Sequence, residues 1–427
     1  METLKFPKNF LWGAATSAHQ AEGNNHNDWS EWEKKNAERL AKEAGEKWEK
    51  WQQKKFPEMF NPENYISGRA CDHYNRYEED FDIAKELGHN AHRFSIEWSR
   101  IEPEEGKFDE KEIEHYRKVI LALRKRGMEP FVTLWHFTSP VWIRDMGGWS
   151  NRKVADYFVR YVEKIVSSLG ENVNFWITLN EPNIYSGLGY FRAVQPPGKR
   201  NIIKGIKAYL NLVRAHKKAY EKIHDIDHNA QVGFTNSVIY FPDKFLFWAE
   251  YFWNHLFIKL TQSSLDFIGC NYFTKADFHF NTRRMKIKNP TDLGWEIIPE
   301  GIYHIVMSCK KYNLPIYITE NGLADAEDKK RTAFIRDHLF WLCRTIQDGA
   351  NVKGYFHWSF LEVFEHVELR GFWPRFGLVE INYKTMERKI RKSAWEYAKI
   401  CRRNEIETKQ IEIKLLVTYD NVILVVF

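Results

Sequence analysis

Eight short apolar or aromatic runs recur along the chain, separated by longer stretches of helical character, and this alternation limits the possible folds more than any other feature. The runs are residues 10–18, 92–98, 130–135, 175–179, 230–236, 266–272, 315–319 and 354–358. Between them, segments such as 111–126, 153–169 and 204–224 space apolar residues three or four apart, as an amphipathic helix requires. Strands that alternate with helices pair in parallel, and eight such units can close on themselves. The expected fold is α/β, a (β/α)8 TIM barrel forming a single domain over residues 1–403 with loop insertions. The fifth and sixth strands are the least sharply marked, because 238–262 between them is aromatic-rich and lacks a clear period.

Two segments fall outside the repeating unit. Residues 31–65 are rich in Lys, Glu and Trp and are expected to be a rim insertion or lid after the first strand. Residues 404–427 form a C-terminal extension of unassigned role. From 409 it alternates and then turns wholly apolar, as an added strand or an aggregation-prone extension does.

Charge narrows the partners. The 63 basic and 57 acidic residues are interspersed, leaving a net +6. Solvated helix faces are expected, not a nucleic-acid stripe, and the short basic run 283–288 reads as loop decoration. No stretch approaches the ~20 apolar residues that span a bilayer. The first residues lack the apolar core of a secretion signal, and the five cysteines (71, 270, 309, 343 and 401) show no paired spacing. Both suit a cytoplasmic protein with reduced thiols. Oligomeric state is not legible.

Barrel enzymes carry their working groups where strands end. Those ends offer Gln20 and Glu22, Arg93, His136, Asn180 and Glu181, Asn271 and Tyr272, Glu320 and Asn321, and Trp358. Glu181 and Glu320 follow the fourth and seventh runs, which face each other across a closed ring. Opposed carboxylates amid Trp, His and Asn suit glycosidic cleavage, in which one donates a proton and the other supports an oxocarbenium-like centre. Either Glu alone could merely cap a helix or pair with Arg; two on facing strands, each beside an Asn, favour chemistry. Metal-assisted hydrolysis is the competing class, since His19, His136 and His357 also stand near strand ends. However, no HxH or HExxH occurs, nor GxGxxG or GxSxG, so neither a metal nor a cofactor is expected.

At this point the motifs resemble family 1 glycoside hydrolases over residues 4–403. The matching segments run from Phe10 to Gly23, from Arg93 to Arg100, from Thr133 to His136, from Thr178 to Pro182, from Asn271 to Phe273, from Ile318 to Gly322 and from Gly354 to Ser359. The resemblance implies a retaining β-glycosidase working by double displacement. It would release non-reducing terminal β-linked glucose, galactose or fucose from small glycosides. Glu320 would be the nucleophile and Glu181 the acid/base. Asn180 would hold the sugar 2-hydroxyl, and Gln20, His136 and Glu365 the other hydroxyls. Trp358 would floor the glycone, with His366 and Phe376 also facing substrate. Arg93 and Tyr272 would hydrogen-bond Glu320, and the Trp358–Ser359 peptide would be cis. Arg93 beside Glu320 would push the pair's shared proton onto Glu181. Two other readings are a sugar-binding barrel with impaired catalysis and a predominantly transglycosylating enzyme.

The sequence also departs from the family. Its usual Asp-Asn-Phe-Glu-Trp reads Glu362-Val363-Phe364-Glu365-His366 here, and about two extra residues precede Arg375. His366 loses stacking area and adds a titratable group, leaving the preference at the 3- and 4-hydroxyls open. Glu365, where the phospho-glycosidase branch has Ser, favours an unphosphorylated glycone. Residues 242–264 are shorter than is usual in the family.

Overall fold

A computed structural model describes residues 2–276, 287, 289–408, 418–419 and 422–423. Eight parallel strands close a barrel in sequence order. They are β1 (Leu11–Ala15), β2 (Ala91–Ser95), β3 (Glu129–Thr133), β4 (Phe175–Asn180), β5 (Gln231–Tyr240), β6 (Phe267–Lys275), β7 (Ile316–Asn321) and β8 (Val352–Trp358). Ring closure is the β8–β1 pairing, from Leu11 opposite Gly354 to Ala15 opposite Trp358. Helices Glu110–Lys125, Val154–Leu169 and Ile202–Ile226 lie where the periodicity predicts them. All eight expected strands form, and the two weakly marked ones, β5 and β6, are the longest.

The lower barrel is filled by rings. Phe131 stacks on Phe175 at 4.3 Å and meets Phe356 at 4.8 Å and Tyr317 at 5.2 Å. Interior positions alternate along each strand, so the same faces carry polar groups one layer up, where Thr235 and Thr319 bond to each other. At Gly269 a Cβ would lie 2.7 Å from the Thr235 hydroxyl, so only glycine lets these strands meet there.

Pairing is irregular near the C-terminal ends of β4 and β7, between Ile177 and Asn180 and between Ile318 and Asn321. Such irregularities re-aim side chains. Strict alternation from the interior Tyr317 and Thr319 would turn Glu320 outward; the break brings it in.

The barrel unit does not stop at residue 403. Glu405–Thr408 pairs antiparallel with Glu2–Lys5, setting Leu4 opposite Ile406, both buried. Asn404 locks this edge to the barrel by accepting from Trp12 Nε1 at 2.9 Å and donating to the carbonyls of Phe6 and Pro7. Of the remaining extension, Thr418–Tyr419 pairs with Val422–Ile423; the rest lies outside the described residues, as does the basic run 283–288 except at position 287.

The expected insertion is helical. Helix Asp28–Lys47 starts at Asn27, whose side chain accepts from the amides of Trp29 and Ser30 while Ser30 answers the Asn27 amide, a capping box. Helix Lys50–Lys55 follows, then two short turns to Tyr65. The insertion packs against the segment after β8: Trp48 and Phe56 meet Trp373 at 5.0 and 5.1 Å, and Asn64 bonds to Arg370 and Phe372. The aromatic-rich stretch after β5 forms short helical pieces, Phe247–Glu250 and Leu256–Thr261 around an irregular turn. It leaves Phe245, Phe247, Trp248 and Phe252 exposed. No helix among the described residues is long and apolar enough to cross a membrane.

Candidate active site

The ends of β2, β4, β6 and β7 converge on one buried polar cluster. Arg93 stands at its centre. Its Nη1 donates to Glu320 Oε1 at 2.5 Å and to the Thr319 carbonyl at 3.2 Å. Nη2 reaches Asn180 Oδ1 at 2.6 Å, and Nε reaches Thr133 at 3.2 Å. The guanidinium is thereby fixed in one plane. Asn271 is the second organiser. Its Nδ2 donates to Glu181 Oε1 at 2.9 Å and, more weakly, to Asn180 Oδ1, while Oδ1 accepts from Thr319 Oγ1 at 2.8 Å. The same amide is a hydrogen-bond partner of Glu320.

Glu181 takes a left-handed backbone conformation, φ 47°, ψ 59°, between the end of β4 and Pro182, the first residue of a short helix. A side chain tolerates this region at a cost of ~1–3 kcal/mol when the surroundings hold it. Here its amide is tied to the Thr235 carbonyl on β5 at 2.8 Å.

Environment separates the two acids. Burial raises Glu181 to about 8, helped by the charge of Glu320 and opposed by Asn271 and Arg93. Burial also raises Glu320, against which the charge and hydrogen bond of Arg93 act directly. One proton shared by the pair therefore rests on Glu181.

Around this cluster stand the remaining expected residues. Asn180 has its oxygen occupied by Arg93, so its amide nitrogen is the atom facing His136 Nε2 at 3.3 Å. His136 is neutral, its pKa pushed well below 6.5 by burial and then by Arg93. Accepting at Nε2 puts its proton on Nδ1, which is buried and has no partner among the described residues. Trp358 lies nearly parallel to His136, and its peptide to Ser359 is cis, as the resemblance implies. Gln20 is wholly buried, accepting from Ser17 and donating to the Phe364 carbonyl, both at 2.7 Å. Each of its amide atoms keeps one further valence. Glu365 accepts from the Val367 amide at 2.9 Å, and burial raises it to about 7. Phe376 is buried in an aromatic group with Phe273 and Trp295.

Two expectations need correction. Tyr272 does not support Glu320. Asn271 points into the barrel, so its neighbour points out, and the Tyr272 hydroxyl donates to the Ile298 carbonyl at 2.8 Å. Asn271, by contrast, proves central, although the strand-end reading gave it no role. His366 does not add a charge: burial holds it well below 6.5, then His19 lowers it further. Its ring packs on Trp29 at 4.7 Å, Phe137 at 5.2 Å and His136 at 5.6 Å, and its Nδ1 has no partner among the described residues.

Behind His366 stands a pair that sequence reasoning missed. His19 Nε2 contacts Glu33 Oε1 at 2.6 Å, and Glu33 comes from the insertion helix. Burial depresses His19, but the charge and hydrogen bond of Glu33 outweigh it, so its pKa is raised. The other histidines near strand ends go elsewhere. His357 faces out of the barrel beside Tyr397, buried and without a partner among the described residues. His19, His136 and His357 therefore do not share a site, and no group of three His, Cys, Asp or Glu among the described residues could hold a metal. Glu362 is structural, paired with Arg375 and Arg391.

The profile described as Glycosyl hydrolase family 1 matches residues 2–242 and 257–406. The chain belongs to this family. Beta-glucosidase A of Thermotoga maritima is 32% identical over 95% of the chain and 100% of its own length. The beta-galactosidase of Pyrococcus woesei is 29% identical over 96% of the chain and 99% of its own length. Among solved structures, the beta-glycosidase from Pyrococcus horikoshii superposes with a TM-score of 0.83 at 37% identity, covering 95% of this chain and 97% of that one. As a family 1 member the protein is a β-glucosidase-like O-glycosyl hydrolase of the retaining class. The unmatched break at 243–256 coincides with the exposed aromatic segment after β5.

Proposed function

We propose that this glycosyl hydrolase releases the non-reducing terminal β-linked hexose of small glycosides, glucose, galactose or fucose, with Glu320 as nucleophile and Glu181 as acid/base. The observation that carries this reading is the asymmetry of Arg93, which grips Glu320 and not Glu181. In the first step a Glu320 oxygen attacks the anomeric carbon. The bond to the glycosidic oxygen breaks, its electron pair stays on that oxygen, and the Glu181 proton moves there. Esterification removes the negative charge that helped raise Glu181, so Glu181 becomes more acidic and can act as base. In the second step Glu181 takes a proton from water, the water oxygen attacks the anomeric carbon, and Glu320 departs as a carboxylate.

Asn180 and His136 would donate to the glycone hydroxyls, with Trp358 beneath its ring. Glu365 and Gln20 would accept and donate at the far side of the sugar. All five cysteines are buried and none is joined in a disulfide, which agrees with a reducing, cytoplasmic setting.

The test is a series of aryl β-glucosides whose leaving groups differ in acidity. Glu181→Ala should spare activated leaving groups and lose about 10²–10⁴-fold on poor ones, the range of general acid catalysis. Glu320→Gln should lose at least about 10⁴-fold on all. Equal losses across leaving groups in Glu181→Ala would contradict the proton-donor role.

A further inference from the structure

The helix after β4 and the aromatic segment after β5 leave one apolar face uncovered. Along helix Ile202–Ile226, residues Ile202, Ile206 and Leu210 stand four apart and so share one side, with Ile203 beside them. Ile202 is 60% and Ile203 68% exposed, and Ile206 and Leu210 are exposed with them. The stripe borders the aromatic segment, because Tyr209, next to Leu210, meets Phe257 at 5.5 Å. In that segment Phe245 is 87% and Phe247 71% exposed, as are, to a lesser degree, Trp248, Tyr251 and Phe252. Residues 187–191 bridge the two halves. A Cβ at Gly187 would touch the Trp253 ring at 3.8 Å, one at Gly205 would touch Phe191 at 3.4 Å, and Phe191 is itself exposed. At ~150–250 Å² per aromatic side chain, the face offers on the order of 1,000 Å², above the about 300–600 Å² usual for a monomer's largest apolar patch. Its aromatic half lies in the stretch outside the family match, so the shared barrel does not require it.

The rim of this face is basic. Residues 182–220 hold eight Lys and Arg and no Asp or Glu. Lys199, Arg200, Lys204 and Lys207, around the helix start, are exposed and have no ion-pair partner among the described residues. Arg192 and Lys218 differ, being paired with Glu368 and Asp156. The acids of these segments do not offset the rim. Asp243 accepts from the Phe245 amide at 2.9 Å, and Glu250 is set against Lys311. Glu221, the first acid on the helix, lies about 16 Å along its axis beyond Leu210.

We propose that this face docks the protein on an anionic lipid surface. The aromatic and Ile side chains enter the headgroup boundary, where Trp and Tyr are at home, and the four free cations meet the lipid charges. A second copy suits the face less well, since a two-fold contact would set the basic rim against itself.

Vesicle co-sedimentation of the full chain tests it, comparing phosphatidylcholine vesicles that hold about 30% phosphatidylglycerol with phosphatidylcholine alone. The bound-to-free ratio should be at least about tenfold higher on the anionic vesicles, and that excess should shrink as sodium chloride rises from about 0.05 to about 0.5 M. Phe247→Ser, Trp248→Ser and Phe252→Ser combined should lower binding about tenfold or more, with turnover of a soluble aryl β-glucoside unchanged. Lys204→Glu with Lys207→Glu should erase the preference for anionic vesicles. Equal binding to both vesicles, binding to neither, or binding that the triple variant keeps overturns the proposal. So do concentration-dependent dimers in sedimentation velocity that the triple variant loses, without vesicle binding, which would assign the face to a second copy. Should the triple variant lose turnover, the lysine variant and the salt series decide: a preference that neither changes overturns it.

Discussion

At the ends of β4, β6 and β7, side chains are held by neighbouring strands, whereas the segment after β8 is held by loops and by an insertion distant in sequence. Glu320 and Asn180 share Arg93, Glu181 takes a bond from Asn271, and Asn271 is fixed by Thr319, each link joining barrel strands or the residue that directly follows one. Glu365 and His366 instead depend on a turn pinned by Gly371, on Asn64 and Lys47 from the insertion, and on the His19–Glu33 pair behind them. The first region has no slack, as bond-making chemistry demands. The second can change residues and length without disturbing the first, which is where this chain leaves its family's pattern.

If that division is right, substitutions in the strand-held region should strike turnover and those in the loop-held region should strike choice of sugar. Asn271→Ala should lower kcat by about 10²–10³-fold with little change in thermal stability, the scale of losing one preorganised donor; a loss confined to KM would contradict it. The acidity of Glu181 gives the next effect. Because burial and Glu320 raise it to about 8, the acid is present below that pH and is lost above it. In the pH profile, kcat/KM should therefore fall nearly tenfold per unit beyond about 8, and this alkaline limb should vanish in Glu181→Ala assayed on activated substrates. His366→Trp should shift the glucoside-to-galactoside ratio of kcat/KM by roughly tenfold while leaving the pH profile in place. A changed profile would mean that His366 is coupled to the carboxylate pair after all.

The smallest effect concerns stability. His89, His92 and His357 are buried with no hydrogen-bond partner among the described residues, and burial lowers all three, His89 to about 3. The unfolded chain takes up these protons below about pH 6.5 and the folded one does not, so stability falls as the pH drops from 6.5 towards the folded values. His89→Phe, packed against Phe360 and Tyr397, should make the acid slope shallower by about 1.4 kcal/mol per pH unit over that window. Urea unfolding at several pH values measures it.

Much of this was legible in the sequence because strands and helices imprint their periods. Every barrel strand left a run, and the two carboxylates followed theirs directly. What escaped depended on direction and on distant neighbours. Tyr272 was assigned a role from its motif, but alternation from Asn271 turns it outward. Glu320 points inward because pairing breaks near it, a break that no residue advertises. Glu33 stands in a Lys- and Glu-rich stretch where nothing marks one acid as buried. Residues 404–408 looked like tail because four alternating residues gain meaning only beside Glu2–Lys5.

That terminal pairing has a practical consequence. Glu2 and Thr408 face each other across adjacent strands, a gap of about 5 Å, anchored near Trp12 at the foot of β1 and so on the side of the barrel away from the chemistry. A brief turn could splice residue 408 to residue 2, and the circle so made could be reopened at another surface loop, yielding a permuted polypeptide with its sugar-cleaving end intact.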